Sequence, residues 1–543
     1  MTMHIRFKTL LLLVSPLLLL VAAAYIQWGT LGLPALPASL AMTPVTVAEP
    51  YGFPAWLRIT HYITFLFMVL LIRSGLQILM DHPRLYWNVH CTPGTEWLRL
   101  TPIIVPMDRV WTSKDDSRRL SPWIGLPGYR HTVGMARHWH FLSALFWVGN
   151  GVIFMVLLLG TGQWKRLAPT SWHIVPDAWA VFVRYATLHL PPEPDGFYRY
   201  NALQQLAYFG AVFVLAPLAM LTGPAMSPAF TNRFEWYPKL PANRQTGRSI
   251  HFLIMCAFAV FILAHVTMVV ITGFARNMNH IVMGTDDANP IGLVLGLLGI
   301  GSVVALNALA NWAAWRHPRA VQHAAKAIVS PVMGYLLDRP APVAEFDRKD
   351  ISPFFWPNGK MPTSDEWKTL ADRDFKGYRL KVYGQVENPL ELSLDDLRAL
   401  GRKTQITLHH CIQGWSGIAA WGGLPLAELM KLVRPGPDVK AVVFYSFGEG
   451  VEFSTGVVGG QYYDSLSIEN ARDPQTLLAY EMNYQPLDHL HGAPLRLRVE
   501  NQLGFKMVKW IQAIEFVADV HSINEGEGGY AEDHEYFGAL ANI

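Results

Sequence analysis

The chain has 543 residues, of which 51% are hydrophobic and 16% charged, and its mean hydropathy is +0.20. These values are too apolar for an ordinary soluble enzyme and indicate membrane segments. The formal net charge of +3 gives no indication of nucleic-acid binding. The three cysteines, Cys91, Cys256 and Cys411, are too few and too scattered for a disulfide framework.

Six apolar runs are each long enough to span a bilayer and are predicted as transmembrane helices. They are Leu10–Trp28, Trp56–Met80, His138–Thr161, Leu203–Thr222, His251–Gly273 and Ile291–Trp312. The first run follows Arg6 and Lys8, so a cleaved signal peptide is the alternative for that run. Residues from Asp338 onward have the composition of a soluble domain.

Basic residues are concentrated in three stretches, which the positive-inside rule places in the cytoplasm. These stretches contain Arg84, Arg99, Arg109, Lys114, Arg118, Arg119 and Arg130; Arg233, Lys239, Arg244 and Arg248; and Arg316, Arg319 and Lys326. The soluble domain follows the sixth run and is therefore expected in the cytoplasm. No twin-arginine export signal is present at the N-terminus, which agrees with that expectation. We expect a multi-pass protein of a bacterial inner membrane.

Two histidines lie fourteen residues apart in the run His251–Gly273. At about 1.5 Å and 100° per residue, His251 and His265 lie about 21 Å apart in depth and within about 40° of one face. Ionisable side chains in membrane helices face the bundle interior and usually mark function. The pattern favours ligands of two separate haem irons. Core histidines hydrogen-bonded to neighbouring helices remain the alternative.

The predicted topology sorts the histidines by depth, because two imidazoles from facing helices can bind one iron from both sides. The expected ligands are His61 with His265 for an outer haem, and His140 with His251 for an inner haem. His138 is expected to be an interfacial or propionate-binding residue rather than a ligand. Arg73 is expected to meet lipid headgroups or a haem propionate.

Four segments of this half resemble the cytochrome b561-like family, which includes the membrane subunits of formate dehydrogenase, nickel–iron hydrogenase and thiosulfate reductase. They are RHWHF at Arg137–Phe141, YNALQQLAY at Tyr200–Tyr208, LTGPAMSP at Leu221–Pro228 and RQTGRSIHF at Arg244–Phe252. The resemblance implies a four-helix bundle that holds two b haems and exchanges electrons with quinone. It also implies the same four histidines as ligands.

In the soluble half, alternating strands are predicted at Tyr378–Gly384 and Thr404–His409, with a helix capped by Ser393 between them. The second strand delivers Cys411 into a glycine-containing loop. This placement suits a thiolate metal ligand. A buried inert thiol and a hydrolytic nucleophile activated by His409 or His410 are the other interpretations.

Two segments here resemble the sulfite oxidase family of molybdopterin enzymes, closest to its methionine-sulfoxide-reductase branch. They are LHHCIQGWSGIAAWGGLPLAELM at Leu408–Met430 and HGAPLRLRVENQLGFKMVKWI at His491–Ile511. The resemblance implies that Cys411 is the protein ligand to molybdenum. It further implies pterin or phosphate contacts from His491, Arg496, Lys506 and Lys509 and, on weaker grounds, from Ser446 and Asn358.

The chain departs from the sulfite oxidase pattern beside Cys411. Sulfite oxidases place arginines there to hold an anionic substrate, whereas this loop reads QGWSG and no arginine follows until Arg434. The difference disfavours sulfite as the substrate. A pocket for a neutral S- or N-oxide is expected instead, with aromatic walls from Trp415, Trp421, Phe447, Tyr480 and Tyr484.

The sequence thus predicts an all-α transmembrane bundle with a four-helix haem core, followed by a soluble α+β molybdopterin domain. The expected segments are 1–53 (anchor and linker), 54–280 (di-haem bundle), 281–340 (last membrane helix and linker) and 341–543 (molybdopterin domain). The predicted function is quinol-driven reduction of an S- or N-oxide. Oxidation of a small substrate that feeds quinone, and a non-catalytic scaffold or sensor, are the alternatives. Expected partners are quinone, lipid and a small substrate, and a homo-oligomer is left open.

Overall fold

The computed structural model describes residues 52–106, 110–130, 132–187, 196–234, 236–237, 243–337, 344–451, 458–534 and 543. The chain forms two compact units. The first contains the described residues up to Met68 together with Phe146–Leu221 and His251–Leu306, and the second contains Val69–Leu145, Thr222–Ile250 and Asn307–Ile543. The predicted run Leu10–Trp28 lies outside the described residues.

Five helices among the described residues are long and apolar enough to cross a membrane. They are α1 (Ala55–Leu79), α2 (Val133–Gly160), α3 (Ala202–Ala225), α4 (Arg244–Ile271) and α5 (Pro290–Arg316). Each contains most of one predicted run, so the prediction of membrane helices is confirmed for these five. Shorter helices between and after them are Ser113–Asp116, Ile174–Ala186, Pro228–Thr231, Phe274–Val282 and Pro318–Leu337.

Helix α4 begins seven residues before the apolar run that predicted it. Hydropathy marks where a helix enters the lipid, whereas backbone hydrogen bonding determines where the helix itself begins. The side chain of Asn243 accepts hydrogen bonds from the backbone nitrogens of Gln245 and Thr246 at 2.9 and 3.0 Å, which caps this end. The additional turns carry Arg244, Gln245 and Arg248, and all three belong to the second unit.

Arg73 on α1 is buried and does not lie where it was predicted. Its guanidinium donates to the side chains of Asn307 and Asn311 on α5, at 2.7 and 2.9 Å, and to the backbone oxygens of Pro122 and Gly125. The expectation of a headgroup or propionate contact is therefore wrong. The guanidinium is held by protein acceptors, because a buried cation needs such partners to offset the loss of water.

The soluble part of the second unit contains two five-stranded sheets. The strands are β3 (Leu380–Gly384), β4 (Leu390–Leu392), β5 (Lys403–His410), β6 (Ser416–Pro425), β7 (Ala441–Val451), β8 (Val458–Ser467), β9 (Leu477–Met482), β10 (Gln485–Pro486), β11 (Arg496–Arg498) and β12 (Ile511–Val517). One sheet has the order β10-β9-β6-β5, with β11 also paired to β9, and the other has the order β4-β3-β12-β7-β8. A two-stranded ribbon, β1 (Arg84–Leu85) with β2 (Leu98–Arg99), precedes them in the chain.

The helices of this part are α6 (Asp365–Ala371), α7 (Leu394–Ala399), α8 (Leu426–Val433), α9 (Ile468–Arg472) and α10 (Tyr530–Asp533). The Ser393 side chain caps α7 by accepting from the backbone nitrogen of Asp396 at 3.1 Å, as the sequence predicted. Alternate residues of β5 are buried, which agrees with the period of two that predicted a strand. These elements confirm the predicted α+β domain.

Candidate active site

Cys411 lies in the loop that joins β5 to β6. The two strands are antiparallel and pair up to His410 and Ser416, so residues 411–415 form the connection. The backbone nitrogen of Cys411 donates to the Trp415 oxygen, and that of Gly414 donates to the Cys411 oxygen, each at 3.1 Å. Gly414 has a φ of +115°, and a Cβ at this position would lie 2.9 Å from the Arg248 guanidinium carbon. Glycine is therefore required by both the turn and the neighbouring arginine.

Residues from the first turn of α4 hold this loop from outside the sheet. Both terminal nitrogens of Arg244 donate to the Cys411 oxygen at 3.4 Å. The Gln245 amide donates to the Gly414 oxygen at 2.9 Å and to the Ser416 hydroxyl at 3.0 Å. Arg248 donates to the backbone oxygens of His82 and Arg84. The loop thus packs on segments that precede the soluble domain in the chain.

The amide of Gln413 is a second point of attachment. Its oxygen accepts from the Ser113 hydroxyl at 2.6 Å and lies 4.0 Å from the Cys411 sulfur. Its nitrogen donates to the Asp81 backbone oxygen at 3.3 Å. Ser113 also donates its backbone nitrogen to the Pro357 oxygen at 2.9 Å. The short helix Ser113–Asp116 is consequently fixed beside the Cys411 loop.

A cavity of about 150 Å³, open to solvent, contains Cys411 in its wall. Its lining includes five of the predicted cofactor residues, Asn358, Ser446, His491, Arg496 and Lys509. The other lining residues are Lys114, Phe355, Trp356, Gly359, Lys360, His409, Ile412, Trp415, Gly448, Glu449, Tyr462, Gly504, Phe505, Met507, Trp510 and Ala531. Asn358 and Lys509, which are 151 positions apart in the sequence, therefore share one cavity with Cys411.

These five predicted residues are held in place by nearby backbone groups. The Asn358 side-chain nitrogen lies 3.5 Å from the Cys411 sulfur. Arg496 donates to the His491 oxygen at 2.8 Å, and Lys509 donates to the backbone oxygens of Leu490 and Asn358. The Ser446 hydroxyl donates to the Lys509 oxygen at 2.8 Å. The result is a connected wall with one buried cation, Arg496, and one half-buried cation, Lys509.

This wall fits an anionic cofactor. Arg496 is buried, and among the described residues its Nε has no hydrogen-bond partner. Burial, reinforced by the positive charge of Arg498, lowers the pKa of Arg496 well below its usual value. Burial and the charge of Arg496 likewise lower the pKa of Lys509. A phosphate or another anion placed between them would offset both penalties, because buried cations are stabilised by opposite charge.

Lys506 is not among the residues that line the cavity. Its ammonium pairs with the Asp464 carboxylate at 2.6 Å and with the Glu532 carboxylate at 2.5 Å. Burial alone would lower the pKa of Lys506, but the two carboxylates outweigh burial and raise it. These ion pairs disfavour a contact between Lys506 and the pterin, which stays a prediction. Sequence proximity to Lys509 suggested a shared role, whereas the 3-10 turn at Gly504–Lys506 directs the side chain to the carboxylates.

The predicted aromatic wall is also revised. Of its five residues, Trp415 lines the cavity, whereas Trp421, Phe447 and Tyr480 are buried outside the lining and Tyr484 is exposed. Trp421 packs beneath the guanidinium groups of Arg496 and Arg498, at 4.6 and 4.3 Å from its ring centroid. The observed aromatic lining is Phe355, Trp356, Tyr462, Phe505 and Trp510 together with Trp415.

The electrostatic environment of Cys411 favours the neutral thiol. Burial raises the pKa of the Cys411 thiol to about 12, even though the backbone nitrogen of Gln413 and the charges of Arg244 and Lys114 lower it. Burial also lowers the pKa of His409 and of His410 well below the usual value, and nearby arginines add to that effect. A bound metal ion would replace the thiol proton, since thiolate is the form that binds metals. A general base among these histidines would have to gain a proton in an unfavourable site, which weakens the hydrolytic alternative.

The outer histidine pair lies within the first unit. His61 on α1 and His265 on α4 have ring centroids 6.3 Å apart with planes at 63°. When two imidazoles bind one metal ion from opposite sides through bonds of about 2 Å, their ring centroids lie about 6 Å apart. The Tyr208 hydroxyl lies 3.3 Å from Nδ1 of His265. The spacing therefore fits one iron bound by both imidazoles.

His140 has the hydrogen bonding expected of a metal ligand. The Ser74 hydroxyl donates to the Leu70 oxygen at 2.7 Å, so it can accept from Nδ1 of His140 at 3.1 Å. With the proton on Nδ1, the lone pair on Nε2 is the one available for a metal ion. A Cβ on Gly75 would lie 3.3 Å from the His140 ring. His251, the predicted partner of His140, lies on α4. The neighbouring His138 forms a hydrogen bond between its Nδ1 and the Gly134 oxygen at 2.8 Å.

Several residues of the site were missed by the sequence reasoning. Ser113, Lys114, Arg244 and Gln413 carry no metal-ligand or cofactor pattern, and their roles depend on contacts between distant segments. The basic residues among them were read only as indicators of topology. A partial signal was present for Gln413, which follows Cys411 by two residues.

Comparison with known proteins identifies two families in the chain. Residues 52–284 match the family model described as prokaryotic cytochrome b561, and residues 368–523 match the oxidoreductase molybdopterin binding domain. These matches confirm both resemblances. The first covers four of the five membrane helices and all four predicted haem ligands, and the second covers Cys411 and the pterin-side cations.

Individual relatives match part of the chain. One is named as a protein-methionine-sulfoxide reductase subunit, YedZ1, of Azospira oryzae, and is 36% identical over 31% of this chain and 57% of that protein. The protein-methionine-sulfoxide reductase catalytic subunit MsrP of Xanthomonas campestris is 34% identical over 31% of this chain and 55% of its own length. MsrP of Ralstonia nicotianae is 30% identical over 39% and 64%. The chain thus spans little more than half the length of these relatives.

Among solved structures, the sulfane dehydrogenase SoxCD from Paracoccus pantotrophus aligns with a TM-score of 0.23 and 24% identity, over 26% of this chain and 38% of that one. A likeness at this level does not bear on the reaction. The two family matches and the membrane helices show that the chain joins a multi-pass cytochrome b561 module to a molybdopterin-binding oxidoreductase domain.

Proposed function

We propose that this protein takes electrons from quinol, passes them through two b haems, and uses them at a molybdenum centre to reduce an S- or N-oxide. The observation that carries the proposal is the attachment of the Cys411 loop to the first turn of α4 by Arg244 and Gln245. The same helix carries His251 and His265. The predicted molybdenum ligand is thus bonded to the helix that carries a predicted ligand of each haem.

The described residues suit the binding of both cofactors. His61 and His265 have the spacing of two ligands to one iron, and the contact of His140 Nδ1 with the Ser74 hydroxyl at 3.1 Å is compatible with a ligand to a second. On the soluble side, Cys411 would hold molybdenum, and Arg496 and Lys509 would hold the anionic pterin. When bound, molybdenum supplies two-electron oxygen-atom transfer, and haem iron supplies one-electron steps.

The chain's own groups would orient the substrate and shield the reacting centre. Phe355, Trp415 and Phe505 give the cavity aromatic walls, which exclude water and suit a small organic oxide. The Asn358 amide beside the Cys411 sulfur can donate to the thiolate or to a nearby oxygen atom. A hydrogen bond to the thiolate would hold it ionised despite its burial.

The direction of the reaction is inferred from the Cys411 loop and from the relatives. The loop 411–415 contains no arginine, unlike the arrangement implied for sulfite oxidases. Two of the relatives carry names that describe reduction of methionine sulfoxide. Quinol is a suitable electron donor for such a reduction. We therefore favour reduction over oxidation that feeds quinone.

We further propose that the C-terminal domain lies in the cytoplasm and that the helices cross a bacterial inner membrane. The Cys411 loop bonds to Asp81, Ser113 and Gln245, which belong to loops and helix ends rich in arginine. The positive-inside rule places those loops in the cytoplasm. The soluble domain would then share their side.

The test follows the haem absorbance of the purified, cofactor-loaded protein. After reduction with dithionite and removal of excess reductant, methionine sulfoxide, dimethyl sulfoxide or trimethylamine N-oxide is added. We expect at least one of them to oxidise the haems, and a quinol analogue to restore the reduced spectrum. Haems that are reduced by sulfite or a thioether, and that no S- or N-oxide reoxidises, would show that the enzyme works in the opposite direction.

A further inference from the structure

The helix Ile174–Ala186, which lies between α2 and α3 in the chain, exposes large apolar side chains. Val175, Trp179 and Phe182 expose 53%, 63% and 48% of their surface, and Trp172, just before the helix, exposes 89%. The rings of Trp179 and Phe182 stack with centroids 5.5 Å apart. Single exposed apolar residues are ordinary, whereas a contiguous patch of large ones marks a surface that meets another molecule or a membrane.

A second face of this helix packs on the protein. Ala178 and Val181 are buried, and they lie about 100° around the helix axis from the exposed apolar face. The helix contacts Ala202–Phe209, the first turns of α3, and all of these residues belong to the first unit. The exposed apolar face is therefore distinct from the face that holds the helix in place.

The charged residues of the helix lie on a third face. Asp177 is exposed and Arg184 is half-buried, and both lie about 180° from the centre of the apolar face. One acid and one base leave the helix without net charge. Apolar side chains on one side and charged ones opposite are typical of a helix at a membrane surface, where Trp and Phe enter the acyl boundary and charged groups stay in water.

Hydrogen bonds tie this segment to the end of a membrane helix. The Gln205 amide donates to the Ala168 oxygen at 3.2 Å, and the Asn201 amide donates to the Tyr185 hydroxyl at 2.9 Å. Asn201 caps α3, and Gln205 lies about 5 Å along the axis from the first residue of α3. The chain before the helix and the last turn of the helix are thus both held where α3 begins. The apolar face consequently continues the surface of a membrane helix, which favours lipid over a partner in solution.

We propose that the helix Ile174–Ala186 lies in the headgroup region of the leaflet at which α2 ends and α3 begins, with Val175, Trp179 and Phe182 in the acyl boundary. The partner of this face is the phospholipid of that leaflet. Apolar burial holds the helix there, rather than attraction to anionic lipid, because the helix carries no net charge. The inference depends neither on the cofactors nor on the direction of the proposed reaction.

Nitroxide labels at two neighbouring positions test this placement. Val175→Cys carries the label on the apolar face and Asp177→Cys on the charged face, and both positions are exposed, so the second is a matched control. The background is Cys256→Ser, since Cys91 and Cys411 are buried. Each variant is the full-length, cofactor-loaded protein in phospholipid nanodiscs, with its haem content compared with that of the parent to show that it is folded.

The measurement is the collision rate of each label with oxygen, which partitions into lipid, and with a water-soluble nickel chelate. We expect the ratio of oxygen to nickel accessibility to be at least about fivefold higher at Val175→Cys than at Asp177→Cys, because an apolar face at the interface lies about 5–10 Å below the headgroup boundary. Nanodiscs of phosphatidylcholine alone and nanodiscs that also contain phosphatidylglycerol should give the same ratio.

Three results would overturn the proposal. Equal ratios at the two positions would place the apolar face in water. A high ratio at Val175→Cys that requires phosphatidylglycerol would mean that charge, not apolar burial, holds the helix. Shielding of the Val175→Cys label from both reagents would show that protein covers the face. Spin–spin broadening would then identify a second copy of the chain as the cover, and its absence would indicate another segment of the same chain, such as Leu10–Trp28.

Discussion

Arg244, the first residue of the α4 helix, donates both terminal nitrogens of its guanidinium to the carbonyl oxygen of Cys411 at 3.4 Å. Its Nε donates to the Met226 oxygen at 3.1 Å, which fixes the plane of the guanidinium. The two bonds to Cys411 are long, but the cation faces the carbonyl dipole in a buried environment, where such interactions are stronger than in water. The helix that carries two predicted haem ligands and the loop of the predicted metal ligand are therefore joined at Arg244, in addition to Gln245.

Replacing Arg244 tests that coupling. Arg244→Gln removes the charge and the paired donors, so we expect the Cys411 loop to lose its fixed position. Substrate-driven reoxidation of the haems should slow at least tenfold, which corresponds to about 1.4 kcal/mol in the barrier. The electron paramagnetic resonance spectrum of Mo(V) should change as well. Arg434→Gln is the control, since Arg434 pairs with Glu387 on the exposed surface. An unchanged Mo(V) spectrum and rate in Arg244→Gln would disprove the coupling.

The four histidines predict two b haems per chain. His61→Ala or His265→Ala should remove the outer haem, and His140→Ala or His251→Ala the inner one, because a five-coordinate haem loses an axial bond. The pyridine haemochrome assay should give about two haems per chain for the parent and about one for each variant. His138→Ala should keep both, since its Nδ1 is bonded to the Gly134 oxygen. Loss of haem in His138→Ala with both retained in His140→Ala would mean that the wrong histidine was chosen.

Periodic and composition-based signals predicted the fold well. Five apolar runs are helices, and the alternation at Thr404–His409 is strand β5, because both patterns reflect burial of one local segment. The partners of Arg73 and Lys506 could not be predicted, for the opposite reason. Their partners, Asn307 and Asn311 for one and Asp464 and Glu532 for the other, are distant in sequence. Lys114 was likewise counted as a loop charge. Only tertiary contacts show which groups surround each of these cations.

Topology gives a third prediction. The C-terminus should lie in the cytoplasm if the arginine-rich loops that bond to the Cys411 loop are cytoplasmic. A C-terminal fluorescent protein fusion should therefore be fluorescent, and a C-terminal alkaline phosphatase fusion should be inactive. Phosphatase fused after Gly162, in the loop that follows α2, serves as the opposite control and should be active. The reverse pattern at both positions would place the molybdopterin domain outside the cytoplasm.

Lys506 is predicted to stabilise the soluble domain rather than to bind the pterin. Lys506→Met leaves Asp464 and Glu532 buried without their cation, and loss of one member of a buried ion pair typically costs about 3–5 kcal/mol. The thermal midpoint should fall with or without cofactor. Burial and the charge of Glu532 already raise the pKa of Asp464, and losing the ammonium should raise it further.

That shift gives the instability of Lys506→Met a defined dependence on pH. A carboxyl with a raised pKa holds its proton in the folded state after the unfolded chain has released it, so stability falls as pH rises. The deficit should therefore grow above the ordinary aspartate pKa of about 4. Lys431→Met, which breaks an exposed pair with Glu428, should change the midpoint little. A normal midpoint with lost pterin in Lys506→Met would restore the original assignment.

Cys411→Ser tests the metal ligand itself. Serine has a hard, poorly ionised hydroxyl in place of a soft thiolate, and the site already raises the pKa of the thiol to about 12 through burial. An alcohol in that environment would remain protonated, so we expect turnover to fall below detection. Pterin should still bind, because Arg496 and Lys509 are unchanged, and its content can be measured by fluorescence after oxidative release.

The same variant isolates the electron-entry half of the protein. Both haems should remain, since their four predicted ligands lie on α1, α2 and α4, and a quinol analogue should still reduce them. The decisive measurement is the rate at which substrate reoxidises dithionite-reduced haem in Cys411→Ser beside the parent. Reoxidation at the parental rate would mean that the oxygen-transfer chemistry does not depend on this sulfur. The metal would then have to be held by another residue of the cavity, and among the residues that line it no second cysteine is present. Complete loss of reoxidation, with haem and pterin retained, is the result that a thiolate ligand to molybdenum requires.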